Sequence, residues 1–447
     1  MKGAIAAGHP LTAEAGARVL DIGGSAVDAA VAAALAAFVT EGPLTGPAGG
    51  GFILLRVGGE TVFLDCFFAV PSNSLGEVQE LVVDFADAAT QVFHVGPGSV
   101  AVPGLLPGLF EAHRRFGRLP WRELAEPAIA LARVGVDVNE AQAFLHTILA
   151  AVLQHEEAGR RLYGNPERIE TADLVPTLEL IRDKGPDAIR ALVPELAADL
   201  DAYRVGEREP RSCEFAGTHV VTAAPPSRGG GVITTALVDL DGRPPGVVAL
   251  AHALAAGYEG EAVATPKLTG TTQISVLDAA GDAVALSSTL GSGSGLFRGG
   301  AQLNNMLGEL DVIGIGARAP GDRLASMMAP TIVLEDGRPR LALGSAGSVR
   351  LAGAIVQAIE ASVGRGVPLA DAIEGARLHV DAENRVHLEG GRPEADAEDL
   401  IDAGLEVVRW AGRNLFFGGV AAVEHAADGT LAAAGDPRRG GRGIVVV

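Results

Sequence analysis

The chain has 447 residues, enough for one large domain or two intertwined ones, and its 48% apolar and 20% charged residues exclude a disordered chain. Lys and Arg number 35 against 55 Asp and Glu, and the resulting net charge of −20 argues against nucleic acid or an anionic membrane as a partner. Only two cysteines, Cys66 and Cys213, are present, which excludes a disulfide framework and a cysteine metal cluster.

In chain order, the N-terminal decapeptide lacks the unbroken apolar run of a signal peptide, and no stretch of 18 apolar residues occurs anywhere. A soluble and, if this is the natural start, cytoplasmic protein is expected. The first element reads as a helix. Ser25 with Asp28 three residues later forms a capping-box pattern, followed by an alanine-rich run to about Phe38. Residues 45–51 are too rich in Gly and Pro to be helical. Phe52–Val57 and Thr61–Asp65 flank Gly58-Gly59 and read as a hairpin. Helical patterns return over 103–136, broken by Pro107, Pro120 and Pro127, and over most of 139–205. Residues 225–231 read as a loop leading into Val232–Leu240. Three further hairpins are expected around Ala280-Gly281, Asp336-Gly337 and Asp428-Gly429, with helices near 351–363 and 369–376. Segregated hairpins and helices predict layers of sheet packed under helices.

The chemistry concentrates in Leu268-Thr269-Gly270-Thr271-Thr272-Gln273-Ile274-Ser275-Val276. A Thr pair heading a strand is in itself unremarkable, because Thr favours strands. The wider pattern changes that. Thr271-Thr272-x-x-Ser275-Val276, then Asp278-x-x-Gly281-x-Ala283-Val284, resembles the start of the small subunit of the gamma-glutamyltransferases (gamma-glutamyltranspeptidases). Further matching motifs run along nearly the whole chain. They include Gly23 to Ala36, Gly49-Gly50-Gly51-Phe52, Val102-Pro103-Gly104, Gly117 to Trp121, Leu303-Asn304-Asn305, Met328 to Val333, Gly344 to Ser348 and Asp436-Pro437-Arg438-Arg439.

The resemblance implies an N-terminal-nucleophile hydrolase of α+β class, a four-layer αββα sandwich. Residues 1–270 and 271–447 would form one entwined domain. It implies self-cleavage at Gly270–Thr271, with Thr271 as nucleophile and the two fragments remaining associated. Elementary chemistry agrees with this. A Thr hydroxyl needs a base, and a free α-amine, of pKa roughly 7.7–8.0, becomes available on the same residue after one cut. By the same resemblance Thr289 would hydrogen-bond the nucleophile, although a plain strand-end Thr is an equal reading. Gly347 and Ser348 would supply oxyanion-hole N–H groups, and Ser326 is the first of the family's serine pair.

Departures bear on the substrate. The family's Arg and following acid, which grip a glutamyl α-carboxylate, are Phe67 and Phe68 here. An expected Asn is Gly291, the second serine is Met327, the Asp pair is Gly308-Glu309, and a His is Gln273. The stretch from Asp311 to Asp322 is shorter than the family's lid-bearing segment. A lost bidentate Arg contact costs charge-assisted hydrogen bonds of about 1.5–3 kcal/mol each. The expectation is therefore a small-molecule amide with an uncharged or apolar acyl group bound at Phe67, Phe68, Gly291, Glu309, Ser326 and Met327. Water or an amine would be the acceptor. Phe67 and Phe68 as core residues, with Arg298 or another Arg replacing the lost one, is the competing reading. No metal and no cofactor is expected, since neither a His-x-x-x-His pair nor a dinucleotide or phosphate loop is present. A true gamma-glutamyl transferase and an unprocessed, non-catalytic binding protein remain open, as does a homodimer.

Overall fold

The computed structural model describes residues 1–85, 89–259, 270–314, 316–426 and 428–447. Leu268 and Thr269 lie outside the described residues.

The chain opens with strand β1 (Gly3–Ala7) and helices α1 (Pro10–Asp21) and α2 (Ala26–Thr40). The hairpin β2 (Gly50–Val57) and β3 (Glu60–Cys66) follows, then α3 (Leu105–Phe116) and α4 (Trp121–Val134). After further helices come β4 (Gly206–Arg208), β5 (Arg211–Phe215), β6 (Thr218–Thr222), α5 (Gly229–Leu240) and α6 (Val247–Tyr258). Two hairpins are next: β7 (Gly270–Asp278) with β8 (Ala283–Gly291), and β9 (Thr331–Glu335) with β10 (Arg338–Ala346). Helix α7 (Leu351–Ile359), the hairpin β11 (Gly419–His425) and β12 (Leu431–Gly435), and strand β13 (Arg442–Val446) complete the frame.

These strands form two antiparallel sheets, in the orders β13-β1-β7-β8-β2-β3-β4 and β12-β11-β10-β9-β6-β5. Helices α1 to α4 cover the outer face of the first sheet, and α5 to α7 cover the second. The result is a four-layer αββα sandwich. Strands from both sides of the Gly270–Thr271 bond share each of the two sheets.

Side-chain size sets how closely the sheets meet. Along β1 and β8, Ala4, Ala6, Ala283 and Ala285 face the second sheet, while Ile5, Val284 and Leu286 face the helices. Small residues between the sheets let their centres approach, and Ser275 Oγ on β7 donates across the gap to the Ala421 carbonyl at 2.9 Å. Both β7 and β8 are buried along their whole length.

Two sequence expectations are corrected. A strand and a helix precede the Ser25-capped helix. Strand β1 is mostly alanine, a weak strand former, and owes its conformation to pairing with β7 and β13. Residues 229–231 belong to α5 rather than to a loop. Glycine there lets the helix start against the backbone of Ala223 and Met327. The capping box itself is present: Ser25 Oγ accepts from Asp28 N at 3.1 Å, and Asp28 Oδ2 accepts from Ser25 N at 2.9 Å.

Helix α2 is buried at all 15 positions, so its neighbours must come close. At Gly16 of α1, a Cβ would stand 2.3 Å from Ile5 Cδ1 and 2.8 Å from the Ala29 carbonyl of α2. Gly16→Val is therefore expected to destabilise the chain by about 1–3 kcal/mol through overpacking. Urea unfolding checks this, and an unchanged midpoint would contradict the close packing.

Candidate active site

Thr271 stands at the head of the central strand β7, beside a step in strand register. Gly270 pairs with Gly291 and Thr272 with Ser288, so β8 carries one extra residue between these pairs, in the stretch Thr289–Leu290. Such a bulge re-aims the side chains it contains. Here the Thr289 hydroxyl donates to the carbonyl of Gly270, the acyl side of the Gly270–Thr271 bond. The same oxygen accepts from Gly291 N–H at 2.8 Å, which fixes its donor direction. Thr289 thus meets the carbonyl next to the candidate nucleophile. Gly291 serves this contact through its backbone.

The start of β7 is also held from both faces. On the helix side Thr272 Oγ1 donates to Glu41 Oε2 at 2.5 Å, and Thr12 Oγ1 donates to Glu41 Oε1 at 2.8 Å. Burial raises the Glu41 carboxyl above the usual range, opposed by these two hydroxyls and by the charge of Arg439. On the sheet side Gln273 Oε1 accepts from Ser287 Oγ at 2.5 Å, and its Nε2 donates to Ser275 Oγ at 3.0 Å. Gln273 therefore pins the strand directly beyond Thr271.

A narrow cleft opens beside Thr271. Thr289, Gly291, Glu309, Ser326, Met327, Ser348 and Phe67 line it together with Met306, Val312, Met328 and Leu351. Most of the residues singled out from sequence thus meet in one place. Glu309 is the single charged side chain in this lining, and its Oε1 accepts from both Ser292 N, at 2.8 Å, and Ser292 Oγ, at 2.7 Å. Ser326 Oγ accepts from Met328 N at 3.1 Å.

Gly347 and Ser348 occupy the turn between β10 and the helical segment leading into α7. Their φ angles are 134° and 57°. Gly347 suits that region freely, whereas Ser348 is held in a conformation that non-glycine residues rarely adopt. Backbone N–H groups at a helix start favour a developing negative charge.

Phe68 does not line the cleft, contrary to expectation. Its ring lies over Gly50 and meets Phe67 edge-on at 4.9 Å, which makes it a core residue. Phe67 faces the cleft while stacking on Phe52 at 5.2 Å. Arg298 does not replace the lost Arg. It pairs with Glu195 at 2.7 Å, away from the cleft. Arg323 lies behind Phe67, but donates to the Phe67 carbonyl at 2.9 Å and flanks buried Asp65 at 3.6 Å. Sequence reasoning missed Glu41. Its one signal was a lone acid after the alanine run, directly before the Gly-rich segment.

The gamma-glutamyltranspeptidase family model matches residues 12–245 and 247–446. The acylase ACY 1 proenzyme of Pseudomonas sp. (strain SE83) is 31% identical, over 100% of this chain and 94% of that protein. The glutathione hydrolase proenzyme of Pseudomonas aeruginosa is 30% identical, over 99% and 94%. The crystal structure of cephalosporin acylase from Bacillus halodurans superposes with a TM-score of 0.80 at 21% identity, covering 99% of this chain and 95% of that one. That likeness speaks for the fold. With the family model matched over nearly its whole length, the chain belongs to the gamma-glutamyltranspeptidase family.

Proposed function

We propose that the chain is a self-cleaving N-terminal-threonine amide hydrolase or acyltransferase whose acyl group is uncharged or apolar. The observation that carries this reading is Thr271 at the edge of a cleft without a cation in its lining. Two relatives named as proenzymes, an acylase and a glutathione hydrolase, support a processed precursor.

In the precursor the Thr271 hydroxyl attacks the Gly270 carbonyl carbon. The hydroxyl proton passes to the Thr271 nitrogen as the C–N bond breaks, leaving an ester between Gly270 and Thr271 Oγ. Thr289, already donating to that carbonyl oxygen, stabilises the negative charge that forms there. Water then splits the ester into a Gly270 carboxylate and a free N-terminal Thr271. Because each sheet contains strands of both fragments, the cut fragments stay together.

In turnover the new α-amine takes the hydroxyl proton as Oγ attacks the substrate amide, and returns it to the departing amine. Gly347 and Ser348 N–H groups stabilise the oxyanion. Water or an acceptor amine then attacks the acyl-Thr271 ester, and the same base carries the proton.

A glutamyl donor would bring a carboxylate to a lining of Phe67, Met306 and Met327, with Glu309 as the one charge. Burying that carboxylate unpaired is costly. Glu309 instead suits a cationic group on the donor, and this is what keeps a true gamma-glutamyl reading in view.

Purified wild-type protein is expected to run as fragments 1–270 and 271–447, the smaller beginning with Thr271. Thr271→Ala should stay a single chain of 45.5 kDa. Thr289→Val should slow cleavage by about 10²–10³-fold, and Thr289→Ser should retain most of the rate. Wild-type protein still full length after long incubation would favour a non-catalytic role.

For processed protein, kcat/KM on an apolar acyl p-nitroanilide should exceed that on γ-glutamyl-p-nitroanilide by about tenfold or more. It should rise with pH through the α-amine pKa of roughly 7.7–8.0, because the base works only when deprotonated. A preference for the γ-glutamyl donor would overturn the apolar-acyl reading, and activity in uncleaved protein would overturn the α-amine as base.

A further inference from the structure

The turn that carries Gly347 and Ser348 is not held by its own backbone alone. Ser348–Arg350 form one tight 3-10 turn, and the regular helix α7 starts only at Leu351. Gly347 is backed by Gly418, whose Cα would lie 2.9 Å from a Cβ placed there. Ser348 stands at φ 57°, a conformation that persists in a non-glycine residue only where its surroundings impose it.

An imposing contact comes from the other fragment. Tyr258 is the last residue of α6. Its hydroxyl donates to the Val349 carbonyl at 2.8 Å and accepts from Gly353 N–H at 3.2 Å. These two backbone groups lie four residues apart, the spacing at which a helix pairs them directly. The hydroxyl stands in the place of that bond. A side chain inserted into the helical ladder redirects the backbone around it. Here it keeps Val349, the neighbour of Ser348, out of the helix. The Tyr258 ring is itself fixed, being buried and in T-shaped contact with His379 at 5.6 Å between centroids. Arg350, the last residue of the turn, lies over the Phe416 ring at 4.5 Å.

We propose that Tyr258 is a positioning residue for turnover: its hydroxyl, wedged between Val349 and Gly353, aims the Ser348 N–H at the oxyanion formed on Thr271. The proposal rests on the acylation of Thr271 argued above. Without the hydroxyl, the Val349 carbonyl and Gly353 N–H are free to pair, α7 winds back toward Ser348, and Ser348 relaxes to a negative φ that re-aims its N–H. Self-cleavage does not draw on this device, because the oxyanion formed there meets Thr289. Tyr258 therefore serves one of the two reactions of a single nucleophile.

The test compares wild-type and Tyr258→Phe proteins in both reactions. Self-cleavage of the Phe variant should stay within about twofold of wild type, while kcat on an apolar acyl p-nitroanilide falls by about 10–100-fold with little change in KM. An apolar alkylboronic acid, which forms a tetrahedral anionic adduct on the Thr271 oxygen, should lose affinity by a similar factor. In a Ser348→Gly background, where a positive φ needs no support, Tyr258→Phe should cost clearly less. Unchanged kcat and boronate affinity would overturn the proposal. So would equal slowing of both reactions, or an undiminished loss in the Ser348→Gly background. A second measurement stands even if Tyr258→Phe does not fold. The chain has three tyrosines, so processed protein labelled with 3-fluorotyrosine gives three fluorine signals, assigned by elimination with Tyr163→Phe and Tyr203→Phe. The boronic acid should shift the Tyr258 signal, and an unmoved signal would overturn the proposal. If the wild type neither cuts itself nor hydrolyses the anilide, the acylation reading fails first. Wild-type turnover matched by Tyr258→Phe refutes this proposal alone.

Discussion

The head of strand β7 is the constraint on which the site depends. A nucleophile that must first cut its own chain needs its hydroxyl, the preceding carbonyl and a charge-stabilising donor in fixed relation. Three contacts converge there. Glu41 holds Thr272 from the helix layer, Gln273 is locked between Ser287 and Ser275 in the sheet interface, and Thr289 donates to the Gly270 carbonyl. Each arises from an ordinary feature of the fold: a helix end, a small-residue sheet interface, and a bulge in the neighbouring strand. Catalytic geometry is bought here by burial on both faces of one strand, which leaves its first residues no alternative path.

Thr271 lies between two spaces that differ in their charged residues. Phe67, Met306, Met327 and Met328 make one wall, and Arg439 with Glu41 makes the other. Arg439 keeps a buried Nε without a hydrogen-bond partner, while Arg377 and Arg438, nearby in the fold, are occupied by Asp436 and Glu389. Motif residues side by side in sequence, Arg438 and Arg439, therefore do different work. One closes a buried ion-pair network, and the other faces open space beside the nucleophile.

Much of this was legible in the sequence because turn chemistry is local. Gly58-Gly59, Asp336-Gly337 and Asp428-Gly429 announce their hairpins, and Ser25 with Asp28 announces a helix start. Family motifs mark Thr271, Gly347 and Ser348. What escaped depends on distant partners. Strand β1 is mostly alanine and exists only through its neighbours. Phe67 and Phe68, just beyond the end of β3, look alike in sequence, yet one faces the cleft and the other packs over Gly50. The bulge that turns Thr289 toward the Gly270 carbonyl leaves no trace in composition. Glu41 and Thr272 lie 231 positions apart, a pairing that no local pattern encodes.

The central claim is that one residue becomes nucleophile and base by a single cut. Trapping the acyl-enzyme tests it most directly. Processed protein mixed with an apolar acyl anilide, quenched in acid within the first turnovers and digested, should yield one peptide heavier by the acyl group. The account predicts that this peptide begins at Thr271, carries the acyl group on the side-chain oxygen and loses it to hydroxylamine. An acyl group on any other residue, or substrate turnover without a trapped peptide under conditions that stabilise esters, would contradict it.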